Sequence, residues 1–195
     1  KEESSLSFQT LFKEGVGRLS KLEILKINLN IHYENPSSKK IRGSLECLSD
    51  CLAQLPNLKE LSFRQDHKEI GEGFGSFAKV LKEKCGKLRA LGIGVPNSLG
   101  FRPASTWVCQ KKDIVLFIEG LRNMMDLEML VVNQFEIKEE SIMKRFLAAL
   151  VPMKRLTQVY LDLNGEMDGE KLTRSLKELS GKDSMRDFVL TGKID

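Results

Sequence analysis

The chain has 195 residues, 41% of them apolar and 30% charged, which is an ordinary globular balance and excludes an intrinsically disordered chain. A formal charge of +4 is mild, and Lys and Arg alternate with Asp and Glu along almost the whole length, so the basic stripe of a nucleic-acid binder is not expected. The longest apolar runs, Ile114 to Ile118 and Phe146 to Val151, are far shorter than the roughly 20 residues of a membrane-spanning helix.

The sequence begins at Lys1 without the basic start and apolar stretch of a signal peptide, so it reads as trimmed or excerpted. Leu6, Leu11 and Phe12 predict a first helix. The segment KLEILKINLN follows, with Leu22, Leu25 and Ile27 spaced as L-x-x-L-x-L. The spacing recurs at Leu58, Leu61, Phe63; at Leu88, Leu91, Ile93; at Leu127, Leu130, Val132; at Leu156, Val159, Leu161; and, in its weakest copy, at Met185, Phe188, Leu190. Successive first positions lie 36, 30, 39, 29 and 29 residues apart, a period near 29 interrupted by two insertions.

Between copies the apolar period changes from about 2 to about 3.6, the mark of amphipathic helices. Leu45, Leu48, Leu52 and Leu55 make the first of these. Phe74, Phe77, Val80, Leu81 come next, then Ile114, Phe117, Ile118, Leu121, then Ile142, Phe146, Leu147, Leu150, and finally Leu172, Leu176, Leu179. Strands separated by helices cannot form hairpins; they pair in parallel through crossovers, with strands along one side and helices along the other.

This pattern resembles the ribonuclease-inhibitor class of leucine-rich repeats over nearly the whole chain, most closely in IGEGFGSFAKVLKEKCGKLRALGIGV from Ile70 to Val95. The resemblance implies an α/β solenoid of about six repeats, one domain over residues 1–195 or part of a longer chain, bent into a horseshoe with a parallel sheet on its concave face. In that family an Asn follows the strand. Here Asn30 and Asn164 fill the position, with Asp66 as a partial substitute, whereas Pro96, Phe135 and Lys193 depart from it.

The insertions HYENPSSKKIRG and PNSLGFRPASTWVCQ have loop composition. Phe101 and Trp107 in the second read either as a local cover on the solenoid edge or as a protruding protein contact. Catalytic readings are weak. IGEGFGSFAKV matches the glycine-rich loop of kinases at Gly71 and Gly73 but carries Ser76 and Ala78 where that motif has its third Gly and its Val, and the repeat explains these glycines as a turn entering a helix. A Rossmann fingerprint would need its glycines directly after a strand. His32 and His67 follow the first and second strands, so adjacent repeats could stack them as a weak pH-sensitive pair; two exposed loop histidines without a role is the plainer reading. Glu139 with Glu140, and Asp162 with Asp168, read as solvated surface carboxylates. Met124, Met125 and Met129 read as core filling at a bend, with an adaptable binding patch as the alternative. Cys47, Cys51, Cys85 and Cys109 lack the spacing of a zinc site with either histidine and read as reduced core thiols, which points to the cytoplasm or another reducing compartment. No cofactor or metal is expected.

Side chains alternate along a strand, so the residues between consensus positions face outward. They are Lys26 and Asn28, Ser62 and Arg64, Gly92 and Gly94, Val131 and Asn133, Tyr160 and Asp162, Val189 and Thr191. The expected protein-binding set is Lys26, Asn28, Arg64, Asn133, Tyr160 and Asp162, with Phe101 and Trp107 from the insertion; Arg and Tyr are the types that most often dominate interfaces. Gly92 and Gly94 are expected to leave the middle of the face bare. No capping repeat is visible after Leu190, so Phe188 and Leu190 are expected near an open edge that more repeats or another subunit would cover.

The functional expectation is a non-enzymatic protein-interaction module without nucleic-acid, membrane or small-molecule ligands. Its alternatives are a fixed subunit of a cytoskeletal, ciliary or organellar assembly, a GTPase-activating protein acting through Arg64, and a ubiquitin-ligase adaptor.

Overall fold

The computed structural model describes residues 10–29, 44–65, 73–94, 109–164 and 169–191. Six strands form one parallel sheet in strictly sequential order: β1 (Ile24–Leu29), β2 (Glu60–Gln65), β3 (Ala90–Gly94), β4 (Met129–Glu136), β5 (Gln158–Asn164) and β6 (Asp187–Thr191). Five helices alternate with them: α1 (Ser44–Leu52), α2 (Phe74–Lys84), α3 (Lys111–Arg122), α4 (Glu140–Leu150) and α5 (Gly169–Ser180). Consecutive helices pack against one another along one side of the sheet. No described helix covers the other side.

Each copy of L-x-x-L-x-L performs the same three tasks. Its first residue closes the turn before the strand by donating its backbone N–H three residues back, as Leu88 does to Cys85, Leu127 to Met124 and Leu156 to Met153. Its second and third residues point from the strand into the core, where Leu61, Phe63, Leu130, Val132, Val159 and Leu161 are all buried. The residue between the first consensus position and the strand then accepts two N–H groups from the next copy. Glu23 O accepts from Lys59 and Glu60, Lys59 O from Arg89 and Ala90, Arg89 O from Glu128 and Met129, Glu128 O from Thr157 and Gln158, and Thr157 O from Arg186 and Asp187. This bifurcated joint repeats at all five strand interfaces and sets the register, so every buried position of one strand lies beside its equivalent on the next.

A phenylalanine spine runs through the core. Phe74 touches Phe77, Phe117 and Phe135, with ring centroids 6.1, 5.7 and 5.4 Å away, and Phe117 continues to Phe146 at 6.3 Å. Offset and edge contacts of this kind add to the apolar area the rings bury. Phe135, which stands where the family has Asn, is fully buried in this cluster. One extra residue in β4 aims it inward: Val132 pairs with Leu161, and the next pair is Phe135 with Leu163, so three steps on β4 match two on β5.

Helix ends are tied to the neighbouring unit. Gly73 opens α2 in the left-handed region at φ 88°, and the Glu46 carboxylate lies directly against it. The carboxylate makes no capping hydrogen bond to α2, and its Oε2 is buried without a hydrogen-bond partner among the described residues. Asn123 Nδ2 donates to Lys82 O at 3.1 Å, satisfying a carbonyl at the other end of α2. Ion pairs Lys82 with Glu119 and Lys111 with Glu139 cross the helix side.

Three expectations are corrected. The first helix is a wide π-type turn over Thr10–Gly15 followed by a 3₁₀ turn over Val16–Arg18; Phe12 is buried but Leu11 is 43% exposed, because so short a segment turns only one side chain inward. Of Met124, Met125 and Met129, only Met124 fills the core. Met125 at 47% and Met129 at 37% exposure face solvent, since one lies in the turn after the buried position and the other is an outward strand residue. Gly94 is not a bare surface position: it is buried at φ 122°, and a Cβ there would collide with the Asn133 carbonyl. All four cysteines are free, and Cys51 and Cys85 are buried.

Candidate functional site

The open face of the sheet carries a groove of about 560 Å³ across β1 to β5. Its residues come from the outward positions of the strands, so the register that aligns the core also aligns the groove. Lys26, Ser62, Gly92, Val131, Tyr160 and Val189 are successive partners across the six strands and form one unbroken row. Asn28, Arg64, Gly94 and Asn133 form a second row. The β4 irregularity breaks this second row, and Asp162 pairs onward with Thr191 rather than back with Asn133.

Of the sequence-derived contact residues, Lys26, Asn28 and Arg64 are exposed, and Asn133, Tyr160 and Asp162 are half-buried on the same face. Lys26, Arg64 and Asn133 line the groove itself. Phe101 and Trp107 lie outside the described residues, as do His32, His67, Asn30, Asp66, Asp168 and Lys193.

Sequence reasoning missed the row of residues at the turn into each strand. Lys59 Nζ lies 2.6 Å from Glu23 Oε1, and Arg89 reaches Glu128 Oε1 through Nη2 at 2.6 Å and Nε at 3.0 Å. Lys26 approaches Glu60 at 3.5 Å. These pairs join neighbouring strands and neutralise one another. Arg64 has no ion pair or side-chain hydrogen bond among the described residues. The missed residues also include Ile24, an exposed apolar side chain on the groove margin; Met129, also exposed there, is one of the methionines for which the sequence offers a binding patch as the alternative to core filling. Extending the in-and-out alternation one step back toward the first consensus leucine would have found them.

Chemically the face offers a guanidinium without a partner among the described residues, a floor of Ala90 and Gly92, and apolar side chains from β4. The predicted surface carboxylates are engaged on the helix side, where Glu139 pairs with Lys111 and Glu140 with Lys144. Among the described residues no three His, Cys, Asp or Glu side chains converge as a metal site. No described helix is long and apolar enough to cross a membrane.

The arrangement defines a class, a parallel α/β stack of helix and strand units with a groove on its open sheet face. Comparison with protein-family models gives no match, and neither does comparison with curated proteins. Among solved structures, an internalin (InlF) from Listeria monocytogenes aligns with 93% of this chain at 13% identity and a TM-score of 0.36. The chain spans 58% of the length of that protein.

Proposed function

We propose that the chain is a leucine-rich-repeat module of the ribonuclease-inhibitor type, with six repeats curved into a horseshoe, that binds other proteins through its concave sheet face and performs no catalysis itself. The observation that carries this reading is the groove on the open face, lined by aligned outward residues and holding Arg64 without a partner among the described residues. An arginine free to pair and a half-buried Tyr160 in the adjoining row are the side-chain types that contribute most to protein interfaces. The four free thiols support a reducing compartment such as the cytoplasm.

The test is affinity purification from the native source, comparing wild type with an Arg64→Glu, Tyr160→Ala double variant of matching thermal stability. Loss of one stoichiometric partner supports the module, and retention of every partner refutes the use of this face.

A second reading, a subunit built into a larger assembly, is favoured by exposed apolar residues at both ends of the stack. Leu11 and Leu19 are exposed at one end; Val189 is exposed and Phe188 and Leu190 are only half-buried at the other. A purification that retains many subunits in the double variant is its signature. GTPase activation through Arg64 and ubiquitin-ligase adaptor roles rest on the family resemblance alone; GTP hydrolysis stimulated by the chain and lost in Arg64→Ala would mark the first.

A further inference from the structure

We propose that the groove accepts an extended peptide lying across the strands, with a carboxylate on Arg64 and an apolar side chain against Met129 and Val131, three to four residues away. This deepens the binding-module reading above and rests on it.

The charge pattern selects the first contact. Around the groove, the cations Lys59, Arg89 and Lys26 each have a carboxylate from the neighbouring strand, at 2.6, 2.6 and 3.5 Å. Arg64 stands exposed on β2 without one. A guanidinium recognises a carboxylate through two parallel N–H donors, which fixes orientation as well as adding attraction. A single unpaired cation among neutralised pairs is a poor platform for a polyanion, whose binding scales with the number of phosphates neutralised.

The floor selects the second. At Gly92 a Cβ would meet Ser62 Oγ at 3.4 Å, an ordinary van der Waals contact, so the floor here is backbone with no side chain of its own beside Ser62. Ala90 adds only a methyl group to the same floor. On the far side stand Met129, 37% exposed, and Val131, half-buried. A flexible thioether beside a branched aliphatic adapts to apolar side chains of several shapes.

Geometry sets the spacing. Strands lie about 4.8 Å apart, and Val131 stands two residues back along β4 from the row that Arg64 shares with Gly94 and Asn133, so the two are separated by about 12 Å, between three and four residues of extended chain at about 3.3 Å each. The peptide cannot add to the sheet as a strand here, because β3 is already bonded to β2 on one side and β4 on the other. Side chains therefore carry the recognition, and the charge and the apolar anchor determine which sequences bind.

The test is selection of random 12-residue peptides displayed on phage against the intact chain and, in parallel, against Arg64→Glu and Gly92→Leu, both checked for unchanged thermal unfolding. Wild type is expected to enrich peptides with Asp or Glu three or four positions from an aliphatic or aromatic residue. A fluorescein-labelled synthetic copy of the leading peptide should bind Arg64→Glu at least roughly tenfold more weakly, and that variant should itself enrich Lys or Arg at the acidic position. Gly92→Leu should abolish binding by filling the floor. The proposal is overturned by enrichment of peptides without an acidic residue, by an acid-to-apolar spacing near seven that marks a helix, by an unchanged selection on Arg64→Glu, or by no enrichment at all. If any of these occurs while the double variant still loses its native partner, the binding face stands and only the peptide chemistry falls.

Discussion

Lys182 Nζ donates to the backbone carbonyl of Met153 at 2.7 Å and to that of Leu150 at 3.0 Å, so a side chain from the last unit closes the C-terminal end of α4 in the unit before it. Its position is the one held by Leu55, Cys85, Met124 and Met153 in the preceding units, all of them buried. Here the apolar residue is replaced by a long stem with a polar head, and partial burial lowers the ammonium pKa below its ordinary value.

Lys182→Ala should therefore lose both bonds and the packing of the stem, destabilising the chain by about 1 to 2 kcal/mol. Lys182→Met, which copies the preceding units, should cost less. Urea unfolding midpoints of the two variants check this ordering.

Gly92 and Gly94 are two residues apart and should respond in opposite ways. Gly94→Ala forces a Cβ against the Asn133 carbonyl in a backbone conformation that favours glycine, and should cost about 2 kcal/mol or more. Gly92→Ala meets only an ordinary contact with Ser62 and should stay within about 0.5 kcal/mol of wild type. Equal effects in thermal unfolding would contradict the placement of the two residues.

Phe135→Asn restores the residue that the family resemblance implies, yet it should be among the most damaging single changes. It removes a ring packed on Phe74 and Phe117 and buries an amide in their place, costing about 3 to 5 kcal/mol. Chemical denaturation measures the loss directly.

The six strands and the helix faces were legible because a period of two giving way to 3.6 reflects which side chains must leave water, and Leu61, Phe77 and Leu147 obey it without exception. Phe135 was not legible as core. One additional residue in β4 shifts everything after Val132 by a step, and nothing in the local sequence marks the shift. Gly94 was misread for a related reason: counting by alternation assumes a regular strand, and Gly94 at φ 122° departs from one. Ile24 was missed, and Met129 read first as core, because the alternation was begun at the second consensus position rather than before it. Arg64 and Tyr160 were legible as outward residues, but the neutralisation of Lys59, Arg89 and Lys26 depends on neighbours about 30 or more residues away in sequence, which only the register brings together.

Burial raises the thiol pKa of Cys51 from the ordinary 9.0 to about 11 and that of Cys85 to about 12. A group whose pKa is raised on folding contributes stability that is complete below its unfolded value and is lost as pH rises toward the folded one. Stability should thus fall between about pH 9 and pH 11, and fall less in a Cys51→Ala, Cys85→Ala variant. At pH 8 iodoacetamide should label Cys47, which is partly exposed, well before Cys51 or Cys85, as mass spectrometry of timed samples would show.

The most direct test of the binding face is photo-cross-linking in the native cell, with p-benzoylphenylalanine replacing Tyr160 on the open sheet face or Arg145 on the exposed side of α4. A discrete cross-linked partner at position 160 with none at position 145 is the result the account predicts. Cross-links confined to position 145 would contradict it.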